Sequence, residues 1–239
     1  MRSLKVAAVA ALMFAASAVP ALSAVVINAA NTGYQFQIDY TGQVNGATTN
    51  LVGGLGTFTF NGVSNSGLTY NFGYSMLNDS SVSSRLTSFG LNVDPNATSA
   101  QSTGFFASTN FNNNFPEGFG VVDVCFESDT NGNCTGGPGG LTQNQTGTGT
   151  FALTFASVMN QVSLDQFVTR FQSINPMING SSSGIGVGAL VNGGGGGGGD
   201  PIVAPEPGTW LMLLGGFGLV GWAARRRRAL TPFAVRQAA

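Results

Sequence analysis

The sequence predicts an all-β protein: a single β-sandwich or jelly-roll-like domain with an N-terminal signal peptide and a C-terminal short transmembrane helix. Apolar and polar residues alternate in many short segments, which is the period of a strand with one buried face. The segments are separated by Gly, Asn, Ser and Thr, which are typical of turns. No long window repeats its apolar residues at the 3.6-residue helical period. These three observations favour strands joined by turns.

The clearest strand runs from Tyr34 to Tyr40, where each apolar residue is followed by a polar one. A second strand carries the same pattern through Leu68, Tyr70, Phe72, Tyr74 and Met76. Further strands are predicted at Leu55–Phe60, Phe89–Val93, Gly120–Phe126, Phe151–Phe155, Phe167–Phe171 and Ile185–Val191. About eight strands in an exported body of about 180 residues suit one sandwich with a full core.

The N-terminal end has the composition of a targeting segment. Residues 1–24 form the predicted signal peptide, in which Arg2 and Lys5 precede an apolar run at Val6–Val19. Small residues then allow cleavage after Ser23 or Ala24. The β-domain is predicted at residues 25–192. Seven consecutive glycines start at Gly193 and open a flexible linker that spans residues 193–204.

Residues 205–228 combine three features in a fixed order, and a short tail follows at residues 229–239. The tripeptide Pro205, Glu206 and Pro207 comes first. The apolar stretch from Trp210 to Ala224 then covers ~22 Å as a helix, against ~30 Å of hydrocarbon, so it predicts a marginal membrane span. The basic end stays cytoplasmic by the positive-inside rule. It consists of Arg225, Arg226, Arg227 and Arg228.

This segment resembles the PEP-CTERM sorting domain of exported bacterial proteins. The Pro-Glu-Pro tripeptide, the helix that begins near Trp210 and the arginine cluster match that domain in order and spacing. The resemblance implies an exosortase-type processing enzyme as partner and the membrane as a transient single-pass anchor. It also implies export across the bacterial inner membrane, followed by a position at the cell surface or outside the cell. The tail at residues 229–239 departs from the pattern, since such signals usually stop soon after the basic cluster.

Charge and composition exclude several function classes. The sequence contains no histidine, which removes Ser-His-Asp and Cys-His catalysis and the usual zinc sites. Between Ala24 and Ala204 the basic residues are Arg85 and Arg170, against nine acidic residues, so the net charge of this body is −7. Phosphates need clustered cations, and we therefore expect no nucleic-acid partner.

Four carboxylates that lie close in the sequence leave a carboxylate enzyme open as an alternative: Glu117, Asp123, Glu127 and Asp129. We predict no catalytic residue among them, because acidic residues in strands and loops are more often solvated than catalytic. Glu127, Asp129, Asn131 and Asn133 alternate as calcium ligands do, but the glycine position and the missing bidentate glutamate depart from an EF-hand loop. We predict no cofactor and no metal site, with calcium left as an alternative.

Cys125 and Cys134 are the only cysteines, and an even number in a chain with a secretory signal predicts a disulfide. The residues between them are typical of a turn, so we expect a hairpin in which the strand at Val121–Val124 folds back on itself. A pair of reactive thiols is the alternative. The paired cysteines, Gly118–Phe126 and Phe167–Ile174 look similar to the cistern-family subgroup of PEP-CTERM proteins.

The sequence thus predicts a non-enzymatic, exported protein of the cell surface or extracellular matrix. The resemblance implies a link to exopolysaccharide and to biofilm or floc formation, with extracellular polysaccharide as a further partner. The alternative is a lectin-like glycan-binding module, which would expose aromatic residues for stacking. A third alternative is ice binding, because the same motif is also known as an ice-binding-protein C-terminal motif. This function would require a flat, regular threonine array, which the sequence does not indicate.

Overall fold

The alternating sequence forms twelve β-strands and two single-turn 3-10 helices in the computed structural model, which describes residues 24–130 and 133–194. The short helices span Ala29–Asn31 and Asn65–Gly67. The all-β prediction is confirmed, although the sequence indicated about eight strands. The additional ones are short or rich in Asn and lack clear alternation. The strands are β1 (Val25–Asn28), β2 (Gln35–Val44), β3 (Ala47–Ser64), β4 (Thr69–Asn78), β5 (Ser83–Asp94), β6 (Ser99–Gly104), β7 (Ser108–Phe115), β8 (Gly120–Glu127), β9 (Leu141–Thr142), β10 (Thr146–Thr154), β11 (Gln161–Asn175) and β12 (Gly184–Gly194).

The strands form one continuous antiparallel sheet rather than the two sheets of a sandwich. Its main path is β6-β10-β4-β3-β2-β12-β11-β5-β8-β7, while β1 pairs with β11 and β9 pairs with β5. The edge strands β6 and β7 are joined by residues 105–107 alone, so the sheet must curl until its two edges approach. The sequence could not distinguish this arrangement from a sandwich, because alternation identifies the buried face of a strand but not its neighbours.

Aromatic residues fill the inside of the curled sheet. Phe89 on β5 is fully buried, and its ring centre lies 4.9 Å from that of Phe126 on β8 and 5.9 Å from that of Phe58 on β3. Phe151 on β10 stacks on Phe72 of β4 at 4.8 Å. Strands from both halves of the sheet path therefore share one core, which holds the curled sheet closed.

Strand β12 turns toward the main core the face opposite to the one that the sequence predicted, although Ile185 is fully buried in a second, outer cluster. Its odd-numbered apolar residues point away from the main core, and Val191 is 56% exposed. Glycines occupy the inward positions because the facing side chains leave no room: a Cβ on Gly186 would lie 2.9 Å from Tyr40 Cβ, and one on Gly188 would lie 2.7 Å from Phe167 Cβ. The strand continues to Gly194, so the first two glycines of the predicted linker pair with β2.

Candidate functional site

The residues predicted for the sorting signal lie outside the residues that the structure describes, as do residues 1–23 of the predicted signal peptide. Within residues 24–130 and 133–194, no helix has both the length and the apolar character needed to cross a membrane. The outside of the curled sheet carries two features of interest. One is the segment that follows the disulfide, and the other is an uncharged face on β2, β3, β4, β6 and β10.

Cys125 and Cys134 form the predicted disulfide, with 6.4 Å between their Cα atoms. Both cysteines are fully buried in a small apolar cluster together with Phe115, Val122, Val168 and Ile185. This cluster lies outside the sheet: Phe115 and Cys125 face Gly90 of β5, whereas the adjacent Phe89 and Leu91 belong to the main core. The disulfide therefore fastens a layer of chain onto the outer surface of β5, β8, β11 and β12.

The described residues of the loop between the cysteines, 126–130 and 133, do not form the predicted hairpin. Strand β8 already pairs with β5 on one side and β7 on the other, so no edge of β8 is free for a returning strand. The chain beyond Cys134 instead reaches β9, in which Leu141 pairs with Leu86 of β5. We call residues 134–140 the stapled segment.

Arg170 of β11 holds the first half of the stapled segment. Its Nε donates to the carbonyl oxygen of Thr135 (3.1 Å), and its Nη1 donates to that of Gly184 (2.9 Å). Gln172 Nε2 donates to the same Thr135 oxygen (2.9 Å), and Ser88 Oγ donates to the Cys134 oxygen (3.0 Å). Burial lowers the pKa of the Arg170 guanidinium, and the Glu117 carboxylate opposes this shift. An arginine in such a place remains charged.

Arg85 of β5 holds the second half of the stapled segment. Its Nη1 donates to the carbonyl oxygen of Gly137 (3.0 Å) and to those of Pro138 and Gly139, while its Nη2 donates to Ser173 Oγ (3.1 Å). Both arginines of the exported body therefore donate hydrogen bonds to main-chain carbonyl oxygens. This role could not be predicted from the sequence, because each arginine lies tens of residues from the segment that it holds.

The four carboxylates considered for catalysis each hold a different part of the chain. Glu117 Oε2 accepts from Gly46 N (3.0 Å) in the β2–β3 turn, and Asp123 Oδ2 accepts from Val93 N (2.8 Å) on β5. Glu127 is buried, and its Oε1 accepts from Asn110 Nδ2 (2.5 Å). Asp129 Oδ1 accepts from Thr130 N (2.7 Å) within its own loop. These contacts favour structural roles for the four side chains.

The calcium alternative involves the same loop. Asn133 Oδ1 accepts hydrogen bonds from both the N–H (3.2 Å) and the hydroxyl (2.7 Å) of Thr135. Asp129 Oδ1 accepts from the N–H of Thr130. Asn131 lies outside the described residues. Among the residues that the structure describes, no three acidic or cysteine side chains are grouped as metal ligands. The side-chain oxygens of Asp129 and Asn133 therefore form hydrogen bonds within the loop.

Asp165 of β11 has a perturbed pKa that the sequence did not indicate. Burial raises the pKa of its carboxyl, and the negative charges of Asp123 and Asp94 add to the rise. Asp165 pairs with Asn92 of β5, and Asn92 Oδ1 accepts from Asp123 N (3.1 Å), so two acidic residues flank one asparagine across three strands. This juxtaposition depends on strand register and is invisible in a single sequence.

We expect Asp165→Asn to raise the melting temperature at pH 7. A carboxyl whose folded-state pKa is raised binds protons more tightly in the folded protein, so stability is lost as pH rises from the unfolded-state value of about 3.9 through the folded value. The gain should shrink as the pH falls toward 4, because the carboxyl is then protonated. Thermal unfolding of the parent and the variant at several pH values measures the gain in melting temperature and its pH dependence. Asp200→Asn matches the change in net charge and should show no such pH-dependent gain; equal gains in both variants would contradict the prediction.

A polar face without charged side chains covers part of the outer side of β2, β3, β4, β6 and β10, and Asp39 of β2 lies beyond its edge. Cross-strand hydrogen bonds order it: Thr103 and Thr150 hydroxyls are 2.7 Å apart, Gln37 Nε2 donates to Thr57 Oγ1 (3.2 Å), and Gln35 Nε2 donates to Thr59 Oγ1 (3.3 Å). Register places the residues side by side across neighbouring strands. We define the polar face as Gln35, Gln37, Thr57, Thr59, Asn61, Asn71, Ser75, Gln101, Thr103, Thr148 and Thr150.

A shallow groove of about 240 Å³ crosses the polar face on β3, β4, β6 and β10. Gly73 of β4 lies between Thr150 and Thr59 in register, and its missing side chain lowers the surface there. Threonines therefore do align across strands, which the sequence did not reveal, but the dip at Gly73 interrupts the flat array that ice binding would require. The groove is lined by Asn61, Asn71, Gln101, Thr103, Thr150, Ala152 and the edges of Phe72 and Phe151.

Aromatic stacking, the feature expected of the lectin-like alternative, has little support on the described surface. Phe111 on β7 is 37% exposed. Within residues 24–130 and 133–191, it is the one aromatic residue among the exposed large hydrophobic residues. The alternating aromatics point into the core, as at Phe36, Phe58 and Phe72. Recognition of a sugar by this domain would therefore depend on hydrogen bonds from the polar face.

The fold and the buried disulfide define an all-β protein of the kind found in oxidising, exported environments. A comparison with protein-family models matches residues 203–228 to the PEP-CTERM protein-sorting motif. The chain therefore carries a substrate signal for exosortase-type processing, which implies export and membrane-anchored sorting toward the cell surface. The matched range includes every residue predicted for the signal, from Pro205 to Arg228. The cistern-family resemblance stays a prediction. No curated protein and no solved structure matches the chain.

Proposed function

We propose that this protein is a non-enzymatic component of the cell surface or extracellular matrix, linked to exopolysaccharide and to biofilm or floc formation. The sorting motif at residues 203–228 is the observation that carries the proposal, since it directs the β-domain out of the cell. The absence of histidine and the structural contacts of Glu117, Asp123, Glu127 and Asp129 support a role without catalysis.

The second candidate function is a glycan-binding module. The observation that favours it is the groove beside Gly73, whose polar lining side chains are amides and hydroxyls without charge. Such groups are suited to hydrogen bonds with sugar hydroxyls. The two functions are compatible, because a matrix component must contact the polymer that surrounds it.

We expect Glu206→Ala combined with Pro207→Ala to stop processing of the protein. The parent should lose its leader near Ala24 or Val25 and end close to Pro205-Glu206-Pro207, whereas the variant should stay with the cell membrane as a longer chain. Mass spectrometry of the cell and medium fractions measures both ends. The matched control Gln237→Ala alters only the tail and should be processed normally.

Deletion of the gene should alter aggregation or matrix properties and leave central metabolism unchanged, and the double variant should not restore them. Recovery of parent protein that still contains Arg225–Arg228 from the medium would contradict the sorting proposal. A turnover of ester, glycoside or peptide substrates that disappears on replacement of one of the four carboxylates would contradict the non-enzymatic role.

A further inference from the structure

We propose that the groove beside Gly73 binds a neutral polysaccharide, with Asn61 and Gln101 as its principal hydrogen-bonding residues. This inference rests on the proposed function, to which it adds a ligand class and a site. The first supporting observation is that the amide groups of Asn61 and Gln101 are exposed at opposite sides of the groove, on β3 and β6. Neither has a hydrogen-bond partner among residues 24–130 and 133–194.

The neighbouring polar side chains contrast with these two amides. Asn71 Nδ2 donates to Ser64 Oγ (2.9 Å) and to Gly62 O (3.2 Å), and the hydroxyls of Thr103 and Thr150 bond to each other. These groups are fixed in place before any ligand arrives. A groove with these fixed side chains and the two unpaired amides of Asn61 and Gln101 suits a ligand with many hydroxyl groups, because an amide group can donate and accept hydrogen bonds at once.

A small residue, Ala152, lines the groove, and a second, Gly73, lies beside it. Gly73 and Ala152 lie on neighbouring strands, and a Cβ added at Gly73 would lie 3.4 Å from Asn61 Nδ2. A larger side chain at residue 73 would therefore occupy the space beside the Asn61 amide. Since β-strands favour β-branched residues at such outward positions, a side chain is compatible with folding there, and the glycine leaves the space beside the Asn61 amide free.

Charge decides which kind of polymer fits. None of the lining residues carries a charge, and the exported body has a net charge of −7 between Ala24 and Ala204. Its two arginines, Arg85 and Arg170, are occupied by the stapled segment. A polyanion would meet repulsion with no free cation to offset it, whereas an uncharged hexose polymer meets none.

The test uses the exported full-length mature protein in affinity electrophoresis through gels that contain dextran, galactomannan or alginate. We expect retardation by at least one of the two neutral polymers and none by alginate. Gly73→Thr, which places a side chain beside the Asn61 amide, and the double variant Asn61→Ala with Gln101→Ala should each weaken the apparent affinity at least tenfold. Gln35→Ala with Gln37→Ala, on the same face outside the groove, should bind as the parent does. Circular dichroism and thermal unfolding check that each variant is folded.

Three outcomes would overturn the proposal: no retardation by either neutral polymer, retardation by alginate instead, or undiminished binding by both folded groove variants. These outcomes are separate from a failure of the proposed function. A protein that is sorted and needed for matrix properties but does not bind neutral polymers refutes the groove alone. A protein that binds dextran through Asn61 and Gln101 but is retained inside the cell refutes the sorting role alone.

Discussion

Replacement of Phe89 by alanine is expected to lower the free energy of unfolding by about 3–5 kcal/mol, the range for a large aromatic residue removed from a core. Phe89 is fully buried, and its ring centre lies within 5.4 Å of the rings of Tyr74, Phe106 and Phe126. No nearby backbone can close the resulting cavity without moving the strands that carry these rings. The melting temperature should fall by roughly 6–20 °C for a domain of this size.

Urea titration followed by far-ultraviolet circular dichroism measures this loss. Phe89→Leu keeps most of the side-chain volume and should lower the free energy of unfolding by less than Phe89→Ala does. The two variants together therefore stay informative even where the alanine variant is largely unfolded. Phe111→Ala removes the same side chain from an exposed position on β7 and should change stability by no more than about 0.5 kcal/mol. A cost for Phe89→Ala below about 1 kcal/mol would show that the shared aromatic core does not hold the sheet closed.

The features that could be predicted from the sequence are local. The strand at Tyr34–Tyr40 is visible because its alternation needs only neighbouring residues, and Phe36 and Ile38 are indeed buried. The sorting signal is likewise a continuous segment, and the family match covers it. The disulfide followed from the number of cysteines and the leader, without knowledge of the fold.

The features that could not be predicted depend on partners far along the chain. The inward glycines of β12 reflect Tyr40 and Phe167, which come from other strands. The groove arises because β10 lies between β4 and β6, and alternation contains no information about that order. The roles of Arg85 and Arg170 depend on carbonyls of the stapled segment that lie 35 to 54 residues away in the sequence.

The stapled segment is fixed in two chemically different ways, one covalent and one through hydrogen bonds. The Cys125–Cys134 bond closes a short loop, which in the chain-entropy model contributes on the order of 2.5 kcal/mol. Arg170 and Gln172 hold the same segment one residue further on, at the Thr135 carbonyl. Loss of the buried Arg170 donors is expected to cost about 1–3 kcal/mol, because the Gly184 carbonyl also loses its partner.

Because both restraints act on one segment, the losses in the free energy of unfolding on removing each of them should be less than additive. Once the segment detaches after Cys125→Ala with Cys134→Ala, Arg170 has already lost its contact with Thr135, so Arg170→Met should cost less than it does in the disulfide-bonded protein. A double-mutant cycle by urea unfolding measures the difference, which we expect to be about 0.5–3 kcal/mol. Val63→Ala, at an exposed position on β3, which does not pair with β8, should combine additively with the cysteine variants. Additive costs for Arg170→Met, within about 0.5 kcal/mol, would mean that the disulfide and the arginine stabilise separate parts of the fold.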